Sequence, residues 1–294
     1  MRLAVLSQAS PQNDENFAEH NLRVFTDSAQ LVGADVIHIP LDWDEFSPED
    51  VLFGRSFTGP GLFVGYINDN AYYERLYAAA AEAGLNLLNG PDVSARAMEF
   101  EQFYPLIADI TPRSRIVEAA TPLEDVVSEL GWPIFVKGGI KSDKENGWKA
   151  CVVESLEELE LRRQWFSKRP ITARGKMVAR QVAPLRRSGA IVGGFPEARE
   201  YRVFLYDGGV LGLGYYWGST DPFGDLSEAD LAEVHRLSML AAGRIGCPLM
   251  AVDVGQIEDG SWIVIETGDL QYSGVSQMPH LVFWNELMCR LGAS

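Results

Sequence analysis

The spacing of hydrophobic and polar positions changes once along the chain. Over the first third, short apolar runs alternate with stretches whose apolar residues recur at helical spacing. The strand-like RLAVLS is followed by a helix over about residues 16–31, then by DVIHIP, GLFVGYI and a helix over about residues 70–83. Short strands separated by amphipathic helices predict a parallel, α/β-type sheet in a small first domain, residues 1–110. After Thr111-Pro112 the apolar segments come in hairpin pairs. PIFVKGG and WKACVVES predict two strands around a loop rich in glycine and lysine. SLEELELRRQWFSK predicts a helix with Ser155 as its N-cap and Glu158 at the capping-box position. KMVARQVAPL reads as a strand and turn, and the glycine-rich residues 186–196 as a flexible loop or insertion. The rest predicts a hairpin about Asp207-Gly208, a helix over about residues 227–245 and a last hairpin about Asp259-Gly260. No internal repeat or low-complexity tract interrupts this order.

Length and composition set outer limits. A chain of 294 residues, 47% of them hydrophobic, buries a full core spread over two or three lobes. No apolar run approaches the length of a membrane span, and the start MRLAVLSQ holds too few apolar residues for a secretory signal. A cytoplasmic location with no membrane partner is therefore expected. The net charge of −16 argues against nucleic acid as a partner. An anionic small ligand would need basic residues gathered locally against the overall field. Cys151, Cys247 and Cys289 are odd in number, widely spaced and set in apolar surroundings, the pattern of buried core thiols. No two histidines lie close enough for a metal-hydrolase motif, and His38 reads as a core or strand-end residue.

The last hairpin carries the strongest chemical signal. Asp-Gly favours a two-residue turn, which sets Glu258 opposite Ser261 and, counting back along both arms, Asp253 opposite Glu266. Directly opposed residues have Cβ atoms about 4.5–5.5 Å apart, where like charges are destabilising. The flanking LMAVDVGQI and SWIVIETGD are apolar on both faces, so two unpaired acids there are costly. A Mg²⁺ ion, usually held by one or two carboxylates and substrate phosphates, resolves the repulsion. The alternative is a longer turn that shifts the register by one and sends one carboxylate to solvent.

Two further stretches bear on the same chemistry. FVKGGIKSDKENGWK holds Lys137, Lys141, Lys144 and Lys149 with three glycines; glycines let backbone N–H groups approach a phosphate and lysines supply point charges. It is not a Walker loop, and a solvated surface loop is the alternative reading. Lys137 stands apart because it follows PIFV in a strand, where burial demands an anionic partner. In EYRVFLYDGG, Glu200 and Arg202 share a strand face. They form either a structural ion pair across the sheet or a site in which Glu200 binds hydroxyls and Arg202 grips a phosphate or carboxylate.

Taken in order, a strand lysine, a glycine loop, a linker strand, a glutamate-bearing strand and paired acidic strands resemble the ATP-grasp superfamily over residues 90–280. VKGGIKS, MVARQV, EYRVF and IETGDLQYSGV resemble its clade named for one arginine and two lysines (R2K). The resemblance implies a pre-grasp α/β domain, a first grasp lobe over residues 111–185 and a second, with the metal site, over residues 186–294. It implies ATP and Mg as cofactors. Lys137 would contact the α- or β-phosphate beside Gly138 and Gly139, with Lys141 as the second lysine. Arg180, Gln181, Val182 and Ala183 would form the adenine linker, with Arg180 as the clade's arginine. Glu200 would bind the ribose, and Asp253 and Glu266, assisted by Asp269, would bind the metal. It further implies ligation of a carboxylate to an amine through an acylphosphate on amino-acid-like or peptide substrates, or else nucleotide sensing or simple phosphotransfer. Three positions depart from the pattern. Glu99 stands where many members have an early lysine, Gly268 where an asparagine follows the metal glutamate, and Ala251 where an arginine precedes the metal aspartate. Arg202 is then the candidate to stabilise the acylphosphate. The first domain, residues 186–196 and the segment from Tyr272 to Val275 are the expected substrate walls. Oligomeric state stays open.

Overall fold

The computed structural model describes residues 2–8, 17–39, 46–65 and 69–293. Strands β1 (Ala4–Ser7), β2 (Asp35–His38), β3 (Gly59–Val64) and β4 (Leu85–Leu87) form a parallel sheet in the order β2-β1-β3-β4. This is the expected α/β unit, built because β1 is buried along its whole length and needs cover on both faces. Tyr73, Leu76 and Ala80 of the helix Asn70–Glu82 supply one cover. On the other side, Leu22 and Phe25 of the helix Phe17–Leu31 meet Phe283 and Trp284 of the C-terminal helix His280–Ala293. Trp284 Nε1 donates to the Phe25 carbonyl at 2.8 Å. The expected elements at position 16, Pro40, Tyr66 and Ile67 lie outside the described residues.

A second, antiparallel sheet has the order β5-β8-β6-β7, from β5 (Ser114–Val117), β6 (Ile134–Gly138), β7 (Val152–Val153) and β8 (Met177–Gln181). The strand expected over residues 148–155 shrinks to two residues, because Trp148–Cys151 is a helical turn entered through Gly147 at φ +80°. Residues 186–196 are not a plain loop. They belong to a hairpin of β9 (Arg187–Val192) and β10 (Phe195–Ala198) turning at Gly193-Gly194, both at positive φ. A glycine doublet is a favoured two-residue hairpin turn.

The last sheet, in the order β12-β11-β13-β14, comprises β11 (Glu200–Tyr206), β12 (Gly209–Tyr215), β13 (Leu249–Gln256) and β14 (Trp262–Asp269), all antiparallel. The helix Glu228–Ile245, capped by Ser227, covers one face together with the helix Phe100–Ile107. The other face is apolar at one end, where Phe204, Leu249 and Ala251 meet Phe283. Along the same face the alternation continues to Arg202, Glu200, Asp253 and Glu266, so the apolar cover ends where the charges begin. Cys151 and Cys247 are buried, but Cys289 is exposed on the outer side of the C-terminal helix, contrary to expectation. His38 is exposed at its strand end.

Candidate functional site

Asp253 pairs with Glu266, but not by the route the turn implied. The hairpin closes with Ile257 N–H donating to the Ser261 carbonyl and Gly260 at φ +92°, which makes the loop three residues long and aligns Gln256 with Trp262. That register would misalign the acids by one. A bulge between Val254 and Asp253 restores it, leaving Ile265 without an opposite residue. The Ile265 carbonyl accepts from Arg180 Nη1 at 2.7 Å, so a residue of the second sheet clamps the irregularity in the last.

Neither acid lacks a cation. Arg202 grips Asp253 through Nε and Nη2 at 2.7 and 2.8 Å and donates its Nη1 to the Gly274 carbonyl at 2.7 Å. Lys137, 2% exposed, donates to Glu266 from the neighbouring lobe. Burial works against the Glu266 charge, yet Lys137, Lys144 and Arg180 hold its pKa at about 2. Burial, with Arg180 and Lys144 nearby, pulls the Lys137 ammonium below its ordinary value despite Glu266. Burial lowers Arg180 as well. The repulsion that seemed to demand a metal is therefore met by protein cations, and the site instead carries surplus buried positive charge.

Two cavities open onto this group. A cleft of about 630 Å³, mouth included, runs between the lobes past Gln181, Val182 and Ala183, with Phe135, Trp148, Phe195 and Trp217 as aromatic walls. Arg180 and Glu200 also line it. The Arg180 Nη2 is buried with no hydrogen-bond partner among the described residues. Burial raises the Glu200 carboxyl to about 7, against the pull of Lys144 and with Asp253 and Glu266 adding to the rise. The second cavity, about 900 Å³, is lined by Lys141, Arg202, Asp253 and Glu266 with Tyr272, Ser273 and Gly274 on its far side. Among the described residues, Lys144 alone borders both.

The structure thus gathers Lys137, Lys141, Arg180, Gln181, Val182, Ala183, Glu200, Arg202, Asp253 and Glu266, and leaves three expected residues out. Gly138 and Gly139 do not offer their N–H groups to a phosphate, because these donate to the Lys141 and Ala173 carbonyls at 2.8 and 3.2 Å. Their lack of a side chain serves close packing: a Cβ on Gly138 would lie 2.7 Å from that of Ala173. Asp269 cannot assist a metal held by Glu266, because three positions along the strand turn it to the opposite face. There it accepts from Asn89 at 2.8 Å and from the Gln271 backbone and side chain at 2.9 and 3.0 Å, tying β14 to the first domain. Glu99, in the place of the early lysine, bonds Asn70 at 2.8 Å and Arg174 at 3.3 Å. Lys144 and Tyr216 are the residues that sequence reasoning passed over; the lysine stood in the right loop, but nothing local separated it from its neighbours.

The donor set fits both a nucleotide and a divalent ion. Four buried or half-buried cations, Lys137, Lys144, Arg180 and Arg202, face three acids, one of which titrates near neutrality. A polyphosphate balances that surplus. Asp253 and Glu266 would hold Mg²⁺, with the rest of its shell from phosphate and water. Among the described residues no cluster of three or more His, Cys, Asp or Glu forms a closed metal cage.

A pre-grasp α/β sheet, two lobes enclosing a linker-lined cleft and opposed acids on the last strands define an ATP-grasp protein. The family model "ATP-grasp domain, R2K clade family 3" matches residues 129–287, more than half of the chain, and the chain belongs to that family. Solved structures share the fold. A RimK domain protein ATP-grasp from Sphaerobacter thermophilus is 15% identical with TM-score 0.62, covering 98% of this chain and 100% of its own. A D-alanine–D-alanine ligase from Bacillus anthracis complexed with ATP is 12% identical with TM-score 0.68, covering 100% and 98%. The ATP-grasp ligase PsnB complexed with minimal precursor, Mg and ADP is 14% identical with TM-score 0.60, covering 99% and 98%. A comparison with curated proteins finds no match. No helix among the described residues is long and apolar enough to cross a membrane.

Proposed function

We propose that the chain is an ATP- and Mg-dependent ligase that joins a carboxylate to an amine, with ADP and phosphate as products and an amino-acid-like or peptide substrate. The observation that carries this reading is the meeting of an aromatic, linker-lined cleft and a separate polar cavity at one cluster of cations and opposed acids. Adenosine occupies the cleft, with Gln181, Val182 and Ala183 along the base and Glu200 at the ribose. The phosphates cross the cluster, and the acid substrate lies in the second cavity. A carboxylate oxygen of the acid attacks the terminal phosphorus and ADP leaves. The amine then attacks the acyl carbon, phosphate departs and the amine proton is lost. The protein's part is positioning and charge neutralisation, which dominate phosphoryl transfer. Mg²⁺ held by Asp253 and Glu266 would supply further charge neutralisation. A D-alanine–D-alanine ligase and an ATP-grasp ligase complexed with a precursor peptide share the fold and support the substrate class.

The test is ADP release by purified protein with single amino acids and peptides as paired acid and amine. Release that requires both partners is expected, and hydroxylamine should trap the acylphosphate as a hydroxamate. ADP release unchanged by any pair would overturn ligation. The ion pairs that satisfy Asp253 and Glu266 without a metal keep a second reading in play, a nucleotide-binding module without ligation. Calorimetry separates the two, since magnesium-independent ATP binding would favour the module.

A further inference from the structure

Among the described residues Lys144 is the one side chain common to the walls of both cavities, and it stands at the junction where a terminal phosphate would pass from cleft to acid. Its ammonium donates to the Tyr216 hydroxyl at 3.0 Å and lies 4.7 Å from the centre of that ring. Tyr216 lines only the second cavity, and the Arg202 guanidinium lies 5.1 Å from the same ring. Lys137 is committed to Glu266 within a strand, whereas Lys144 rises from a short turn whose base is fixed independently. Asp143, 4% exposed, is bound by Asn146 at 2.7 Å and Arg162 at 3.2 Å, and Trp148 N–H donates to the Gly194 carbonyl at 3.0 Å. With its base fixed on both sides, the side chain can swing on its four-carbon stem while the backbone stays in place.

We propose that Lys144 has two stations: it rests on the Tyr216 phenol while the cleft is empty, and moves onto the terminal phosphate of a nucleoside triphosphate, releasing the Tyr216 hydroxyl into the cavity that receives the acid. The inference rests on the nucleotide reading above and adds to it a device by which occupancy of one cavity prepares the other. Lys144 suits the task because it stays charged. Burial opposes its charge, but the Tyr216 oxygen, Glu200 and Glu266 together hold its pKa above the ordinary value. Moving from a neutral phenol to a phosphate exchanges a single hydrogen bond for a stronger, charge-assisted one.

Calorimetric titrations with Mg·ADP and with the magnesium complex of the imido analogue of ATP test this on wild type, Lys144→Met, Lys144→Arg and Tyr216→Phe. Loss of a charge-assisted contact predicts that Lys144→Met binds the triphosphate analogue about tenfold more weakly while ADP changes by less than about threefold. Lys144→Arg, which keeps the charge, should retain part of that discrimination. Tyr216→Phe removes the resting partner and should tighten the analogue by about threefold without altering ADP. Equal effects of Lys144→Met on both nucleotides would overturn the proposal, as would weaker analogue binding by a folded Tyr216→Phe protein. If wild type bound neither nucleotide, the underlying nucleotide reading would fail instead, so the two failures are distinguishable.

Discussion

Glu200→Gln offers a direct measure of the charge the fold has placed under the cleft. Glu200 is 4% exposed, and burial raises its carboxyl from 4.5 to about 7. Between those pH values the folded protein holds a proton that the unfolded chain has released, so stability falls as pH rises through that window. The stabilisation is fully present below about pH 4.5 and lost above about pH 7. At about 1.4 kcal/mol per pH unit, the loss amounts to about 3 kcal/mol. Glutamine has the same shape and does not titrate. The two proteins should therefore melt at similar temperatures at pH 5, and the variant should melt higher at pH 8. At roughly 2 °C per kcal/mol for a chain of this size, the gap should open by about 5 °C. Because both proteins keep every other titrating group, the difference between their melting curves isolates this carboxyl. A gap that stays constant within about 1 °C from pH 5 to pH 8 would refute the buried, near-neutral assignment.

Other substitutions probe other contacts. Arg202→Met leaves Asp253 buried without its guanidinium, at a cost of roughly 3 kcal/mol; adding Mg²⁺ alone should then raise the melting temperature more in the variant than in wild type, and an equal rise would count against a shared site. Asp269→Ala strips acceptors from Asn89 and Gln271 and should lower stability by about 2–3 kcal/mol while leaving ATP affinity within about twofold, as thermal melts and calorimetry would show. A stable variant that lost magnesium-dependent binding would restore Asp269 to the metal site. Trp148→Ala removes the edge-on contact with Phe195, at 5.6 Å, and the Arg187 cation over the indole, at 5.2 Å. These contacts sum to about 1–2 kcal/mol, so ATP should bind roughly tenfold more weakly if the hairpin must stay docked to close the cleft. Unchanged affinity in equilibrium titration would show that the hairpin takes no part.

Much of the fold was legible because period and turn chemistry agree. The alternation of β11 set Glu200 and Arg202 on one face, Asp207-Gly208 made the two-residue turn it implied, and Ser155 capped its helix. Where the reading failed, distant contacts decided. Gly193-Gly194 looked like a flexible spacer, yet the same glycines bring the hairpin turn against Gly147, with 3.1 Å between a Cβ on Gly194 and the Gly147 Cα. Trp148 left the expected strand because its indole packs on Phe195 and its N–H on Gly194. The glycines after Lys137 matched a phosphate loop in composition, but Ala173, which takes up their space, lies far along the chain, and no local pattern announces it.

The pairing of Asp253 with Glu266 was foreseen through a turn that does not exist. The three-residue loop displaces the register by one and the bulge at Ile265 displaces it back, so an incorrect count at each end reached the observed pair. The compensation has a structural cause. An uninterrupted ladder beyond that loop would have turned one acid away from the cleft; the bulge keeps both on one face and directs the Ile265 carbonyl to Arg180, which fixes the second sheet against the last. Each acid then borrows a cation that a nucleotide can claim: Lys137 for Glu266 and Arg202 for Asp253. Phosphates that drew off these cations would leave the carboxylates facing one another across about 5 Å, the arrangement that favours a divalent ion. On the proposed reading, the repulsion inferred from the sequence would be met by protein cations until a nucleotide drew them off, which would tie metal affinity to nucleotide binding rather than to folding.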